Sequence, residues 1–296
     1  MKFGKVDSIK GIDFSLPEIP PATLVILAKY KEEHSSFQVY VGGARWAKSE
    51  LKGFYPPKTK DELTYYSTQF NAIEMNGTFY SSPQKEQILT WKKKTPSDFK
   101  FYPKIPQSIS HYSRLLNVKE KLWTFLDAIT LFEEQLGMAF LQMHDNYKPK
   151  DFERLKGFVE DFPKGYPLAI EIRNEEWFQN DSIFNEYADL LEQNFITNVI
   201  VDTPGRRDIL HMRLTTPHLF VRFVSAYDPV DYTRLDAWIE RIKVFKEEGL
   251  QSVNFFIHQG LQGEEELYAT YFVEKLNQVL GLNVRIPTKN RDGLLF

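Results

Sequence analysis

Eight short runs dominated by apolar residues recur along the chain, at 38–41, 72–75, 100–102, 138–142, 168–172, 198–201, 219–223 and 253–257. Their first residues run from 38 to 253, seven steps of about 31 each, the length of a strand–helix unit with two short loops. Between them the apolar spacing changes from alternation to a helical period. Residues 83–94 follow Ser82 as a cap with Pro83 at the first helical position. Residues 119–136 put Leu122, Phe125, Leu126, Ile129 and Phe132 on one face and stop at Gly137, a natural helix end. Segments 151–161, 182–194, 233–248 and 264–280 repeat the theme. Only 16 residues separate Asp202 from Leu219, and they include Pro204, Gly205 and Pro217, so the sixth helix must be short or irregular.

Strands alternating with helices predict a parallel α/β architecture, and eight units predict a single (β/α)8 TIM-type barrel over residues 38–296. Residues 1–37 carry Pro17, Pro20 and Pro21 and read as an N-terminal extension packed on that barrel. The rival fold, an open doubly wound sheet, lacks support: no G-x-G-x-x-G follows a strand and no G-x-x-x-x-G-K occurs.

Alternation along each strand assigns its two faces. With apolar residues turned outward to the helices, Glu74, Asn76, Lys104, Gln142, Glu171, Arg173, Asp202, Arg222 and His258 face the lumen. All of them lie at or just past the C-terminal ends of their strands. The earlier lumen positions, Tyr40, Ala72, Tyr102, Phe140, Ala169, Ile200, Phe220 and Phe256, are apolar or aromatic and fill the floor. A filled floor below a polar C-terminal mouth is where barrel enzymes carry their sites. The bland reading is an ion-pair ring that only satisfies buried charge. Apolar side chains would have closed the mouth at lower desolvation cost, which favours a functional site.

Composition narrows the chemistry. With 37 basic and 40 acidic residues among 296, the net charge of -3 shows no basic excess for nucleic acid or an anionic membrane. Cys is absent, which removes disulfides, thiolate metal sites and a Cys nucleophile and fits a reducing compartment. The apolar stretch 24–28 near the start is far short of the ~20 residues that span a bilayer. The expectation is a soluble, cytoplasmic protein with no membrane partner.

The same residues carry a family resemblance. Gly42-Gly43-Ala44-Arg45-Trp46, Gly53-Phe54-Tyr55-Pro56, Phe70-x-x-Ile73-Glu74-Met75-Asn76-x-x-Phe79-Tyr80, Trp91, Phe99-Lys100-Phe101-x-x-Lys104, Ile109-Ser110-His111, Leu141-Gln142 and Glu171-x-Arg173-x-x-x-Trp177 resemble the signature of the YecE-like family, the seventy-second domain of unknown function. The match runs roughly from residue 39 to 280. It implies a TIM-type barrel and no established activity. It points to Glu74, Asn76, Tyr80, Lys104, His111, Gln142, Glu171, Arg173, Trp177, Asp202 and Arg222. The chain departs from the family pattern at Ala44-Arg45-Trp46, Val224-Ser225 and His258-Gln259, which bears on substrate identity.

Several chemistries are open to this set. Glu74 and Glu171, on opposite sides of the barrel, can serve as acid and base if their surroundings separate their pKa values, as in inverting glycoside hydrolysis. Lys104 either loses its proton beside Arg222 and forms a Schiff base, or, as the more ordinary role, binds phosphate or carboxylate. Arg222 and Arg173 have the fork geometry for bidentate oxyanion binding, so the expected partner is a small anionic or sugar-like ligand. No cofactor is expected. A divalent metal would draw on His111, His144, His258, Asp145, Glu171 and Asp202, but no H-x-H or H-E-x-x-H spacing is present. The alternatives are a metal-assisted phosphodiester hydrolase or nucleic-acid binder, with Trp46, Tyr55, Phe79, Tyr80 or Trp177 near the mouth stacking on a sugar or a base, and a non-catalytic ligand-binding protein. For Phe79 and Trp177 the preferred role is to cap the barrel. His211 and His218 are expected only to pack or face water, and His34 carries no signal.

Overall fold

The computed structural model describes residues 4, 6–32, 36–259, 261–262 and 267–288; His34 and the start of the segment expected at 264–280 lie outside the described residues. The eight barrel strands are β1 (Gln38–Gly43), β2 (Ala72–Met75), β3 (Lys100–Pro103), β4 (Ala139–Gln142), β5 (Leu168–Glu171), β6 (Thr197–Asp202), β7 (His218–Val224) and β8 (Ser252–His258), and Leu51–Lys52 pairs separately with Leu261–Gln262. All pairs are parallel, in the order β3–β2–β1–β8–β7–β6–β5–β4. Between β3 and β4 the ring is held by single bridges, Phe101 to Leu136 and Lys104 to Phe140, with Ile105 N–H donating to Phe140 O at 2.9 Å. The result is a nearly closed (β/α)8 barrel, as the strand spacing predicts.

Helices α1 (Pro21–Ala28), α2 (Glu62–Gln69), α3 (Lys85–Lys94), α4 (Lys119–Ile129), α5 (Phe152–Asp161), α6 (Asp181–Gln193), α7 (Val230–Glu248) and α8 (Tyr268–Leu280) surround the strands. Between β6 and β7 stands only the short turn Arg207–Ile209, the irregular sixth unit that the proline-rich spacing predicts.

Helix ends differ from expectation in instructive ways. The helix expected at 83–94 begins two residues later, with Gln84 in extended backbone as its cap in place of Ser82. The helix expected to reach 136 ends at Ile129 and tightens into a 3₁₀ turn, Thr130–Gln135, with a kink at Glu133. Gly137 is therefore not a helix end. Its N–H donates to Phe101 O at 2.8 Å across the barrel seam, and a Cβ there would stand 2.5 Å from the Tyr102 ring. Only glycine lets the seam come this close.

Two apolar layers follow from the alternation. Ala72, Tyr102, Phe140, Ala169, Phe220 and Phe256 pack inside the barrel together with Val199 and Val201, and Tyr40 lies against them. Ile73, Met75, Ile170, Val221, Phe255 and their neighbours form the layer under the helices. Ahead of β1, α1 buries Ile26 and Leu27, and Thr23 Oγ1 donates to Met212 O at 2.7 Å. Arg207 further donates to Asp13 O and Ser15 O, and Arg241 to Pro17 O.

Candidate active site at the C-terminal mouth

Short parallel strands end in register, so the last inward side chain of each meets its counterparts around one opening. Arg222 of β7 is the hub. Its Nε and Nη2 donate to the two oxygens of Glu74 on β2, both at 2.8 Å, a bidentate fork. Its Nη1 donates to Glu171 Oε2 of β5 at 2.6 Å and to Gln142 Oε1 of β4 at 3.2 Å. Arg173 grips Glu171 Oε1 through Nε and Gln142 Oε1 through Nη2, the latter at 2.7 Å. Asn76 Nδ2 donates to Glu74 Oε1 at 2.8 Å, and His258 Nε2 lies 3.0 Å from Glu74 Oε2. Glu74 and Glu171 are completely buried.

Burial works to raise both carboxyls, but the guanidinium groups outweigh it. Glu74 lies well below the usual carboxylate range, held there by Arg222 and His258; Glu171 lies below it through Arg173 and Arg222. Burial lowers His258 against the pull of Glu74, so at neutral pH its Nε2–H is the donor to an ionised carboxylate. Both carboxylates are thus ionised and bonded to one guanidinium, a buried ion-pair network at the mouth. Arg222 is committed in the same way: four of its N–H bonds point at protein acceptors.

Lys104 follows the last residue of β3 and is 6 % exposed. Its Nζ donates to Gln142 Oε1 at 3.0 Å and sits 4.1 Å from the centroid of Phe79. Burial and the neighbouring Arg222 and Arg173 bring its amine down to about 7, against the weaker opposing pull of Glu171 and Glu74. Thr78 Oγ1 lies 2.7 Å from Lys104 O and 2.8 Å from Met75 O, sharing its one proton between the two carbonyls and so fixing the backbone here. Beyond Phe79 stands His111, 4.9 Å between ring centroids, with His144 a further 5.0 Å away. Burial, His144 and the local cations take His111 down to about 4, so it is a neutral imidazole at physiological pH. Its Nδ1 pairs with Ser110 Oγ at 2.8 Å.

Nine of the expected residues thus converge: Glu74, Asn76, Lys104, His111, Gln142, Glu171, Arg173, Arg222 and His258. Three do not. Asp202 turns outward, where its carboxylate accepts from Arg207, from Arg234 Nη2 at 2.6 Å and from Trp238 Nε1 at 2.7 Å, the last two on α7. The segment Thr-Asn-Val-Ile-Val-Asp offers aliphatic residues to both faces, and Val199 and Val201 are the pair that enters the lumen while Ile200 packs under the helices. Trp177 is wholly buried under the helices, with Nε1 donating to Tyr147 O at 2.7 Å and its ring parallel to Tyr147. Tyr80 caps the turn Asn76–Phe79 and is 73 % exposed.

Phe79, which the sequence reading placed near the mouth as a barrel cap, lies on the Lys104 amine, a contact that reading did not anticipate. Its position four residues past β2, in a loop at the C-terminal face, was the available signal. Beside the network opens a cleft of about 540 Å³ bounded by Gly42, Arg45, Ser225 and His258, with Arg173 and Arg222 on its wall. Among the described residues, no three His, Asp or Glu side chains are grouped to hold a metal ion. No described helix is long and apolar enough to cross a membrane.

The barrel and its buried polar mouth define a TIM-barrel protein with its side-chain chemistry gathered at the strand C-termini. The chain belongs to the family described as "Protein of unknown function DUF72", whose model matches residues 40–291. It is 24% identical over 226 residues to the UPF0759 protein YecE of Escherichia coli K12, covering 69% of this chain and 80% of that one. It is 27% identical over 150 residues to the UPF0759 protein YunF of Bacillus subtilis, covering 47% and 52%. A DUF72 family protein of Enterococcus faecalis superposes with a TM-score of 0.65 at 20% identity, covering 84% of this chain and all of that one. One from Thermotoga maritima gives 0.64 at 25% identity, with 83% and 100% covered.

Proposed function

We propose that this protein is an enzyme acting at its C-terminal mouth on a small carbonyl compound, sugar-like or acid-bearing, with the amine of Lys104 as the reacting group. One observation carries the reading: Lys104 Nζ is bonded to an amide oxygen, flanked by two guanidinium groups, and makes no carboxylate ion pair among the described residues. A lysine that only balanced charge would sit on Glu74 or Glu171, yet arginines occupy both. At pH 7 about half of such an amine is unprotonated, against roughly one in 3,000 for an ordinary lysine.

The free amine attacks the carbonyl carbon, a C–N bond forms, and the C=O π pair moves to oxygen. The two protons leaving nitrogen end on that oxygen, which departs as water and leaves an imine. The imine then withdraws electrons from the neighbouring carbon, the basis of lyase and isomerase chemistry. Glu74, Glu171, Arg173 and Arg222 lock Gln142 and hence the amine in place, a frame of the kind that reactive groups need.

Incubation with glyceraldehyde and cyanoborohydride at pH 7, followed by peptide mass mapping, tests this. Lys104 is expected to be labelled ahead of the surface lysines, and Phe79→Ala, which uncovers the amine, is expected to speed the labelling. Labelling spread over surface lysines with Lys104 untouched in both proteins would overturn the reading.

A further inference from the structure

The opposite end of the barrel is not closed. A cavity of about 700 Å³ opens among the first residues of the strands, including Gln38, Lys100, Leu168, Thr197, His218 and Ser252. This is the size class of a small-molecule site. The floor of aromatic side chains inside the barrel separates it from the network at the other mouth.

Its walls are aromatic: Tyr40, Tyr102, Phe162 and Phe195 all line it. The polar groups among them are uncharged. Tyr102 donates its hydroxyl to Asn254 Oδ1 at 2.5 Å, and Asn254 Nδ2 donates onward to Leu219 O. His218 Nδ1 pairs with Ser252 Oγ at 2.9 Å, and burial keeps the imidazole below its usual pKa and therefore neutral at pH 7. Of the charged residues on the wall, Lys100 gives its amine to Glu134 O, while Glu160 and Lys164 oppose each other in sign.

Phe195 adds an independent observation. Helix α6 ends in a Schellman motif, with Ile196 N–H donating to Leu191 O at 2.9 Å and Phe195 N–H to Glu192 O at 3.1 Å. That motif puts Phe195 at the left-handed position, φ 54°, where glycine is the favoured residue. The bulky side chain is nevertheless there, 54 % exposed, its ring edge-on to His218 at 5.9 Å on the cavity wall. The left-handed backbone and the half-exposed ring both cost stability, against which the chain sets, among the described residues, only ring contacts to His218 and, at 6.4 Å, Tyr30. Strain of this kind gathers at ligand clamps.

We infer that the N-terminal mouth is a second binding site, taking an uncharged, planar aromatic molecule with a hydroxyl or carbonyl edge that stacks on Phe195 and reaches the Tyr40 hydroxyl and His218 imidazole. It is independent of the chemistry assigned to Lys104. Each face of the barrel then serves its own ligand.

The probe is 2-naphthol, titrated into the full chain by calorimetry, with 2-naphthalenesulfonate as its charged counterpart. Saturable 2-naphthol binding tighter than that of the sulfonate is expected. Phe195→Gly is expected to raise Tm, because glycine relieves the left-handed backbone, while weakening 2-naphthol at least tenfold. Tyr40→Phe is expected to weaken it severalfold, and Lys104→Met to leave it unchanged. Absence of saturable binding, preference for the sulfonate, or equal affinity in Phe195→Gly would overturn the inference. Loss of binding in Lys104→Met would place the probe at the other mouth and overturn it equally.

Discussion

Replacing Lys104 by Met tests the electrostatics of the mouth directly. Burial and two guanidinium neighbours bring this amine from 10.5 to about 7, so between those pH values the unfolded chain binds a proton that the folded chain does not. Stability of the native protein therefore rises with pH across that window, at up to ~1.4 kcal/mol per pH unit. The window spans roughly 3.5 pH units, so the amine costs on the order of 5 kcal/mol at pH 6, and nothing above pH 10.5. Methionine has a similar length, fills irregular space and carries no charge. Lys104→Met is thus expected to be more stable than the native chain by several kcal/mol at pH 6. The advantage shrinks steadily to pH 9.5, as read from urea unfolding at four pH values. Gln142 Oε1 keeps its arginine donors in the variant, so no buried acceptor is orphaned. A stability difference that does not change with pH, or a variant less stable at pH 6 than at pH 9.5 relative to the native chain, would refute the argument.

Other residues give sharper contrasts. Glu74→Gln leaves Arg222 with one carboxylate in a buried site and is expected to cost about 3–5 kcal/mol by urea titration, and a loss below 1 kcal/mol would deny the network its positioning role. Asp202→Asn should destabilise the fold by about 1–3 kcal/mol, since Arg234 loses one of its two carboxylates and keeps Asp231, yet leave Lys104 labelling by glyceraldehyde at its native rate; slowed labelling in the folded variant would return Asp202 to the mouth. Gly137→Ala drives a methyl group against the Tyr102 ring and is expected to cost about 1–3 kcal/mol, seen as a lowered Tm, whereas an unchanged Tm would mean that the seam has slack.

Period and spacing determined much of this protein. A strand–helix repeat of about 31 residues reads as eight β/α units, and the apolar phase of six strands correctly sends Glu74, Lys104, Gln142, Glu171, Arg222 and His258 to one opening. That much is local, because alternation along a strand is a property of its own backbone. β6 resisted for the same reason: buried on both sides, it carries aliphatic residues in either phase, and only the partners waiting on α7, Arg234 and Trp238, settle that Asp202 faces outward. Trp177 shows the same limit, since an indole after a strand fits a mouth or a core equally well until Tyr147 supplies its acceptor. What the tertiary structure alone decided was pairing. Which carboxylate meets which guanidinium depends on contacts between residues up to 148 positions apart. Those pairings satisfy Glu74 and Glu171 with arginine and leave Lys104, among the described residues, bonded to the Gln142 amide instead of a carboxylate.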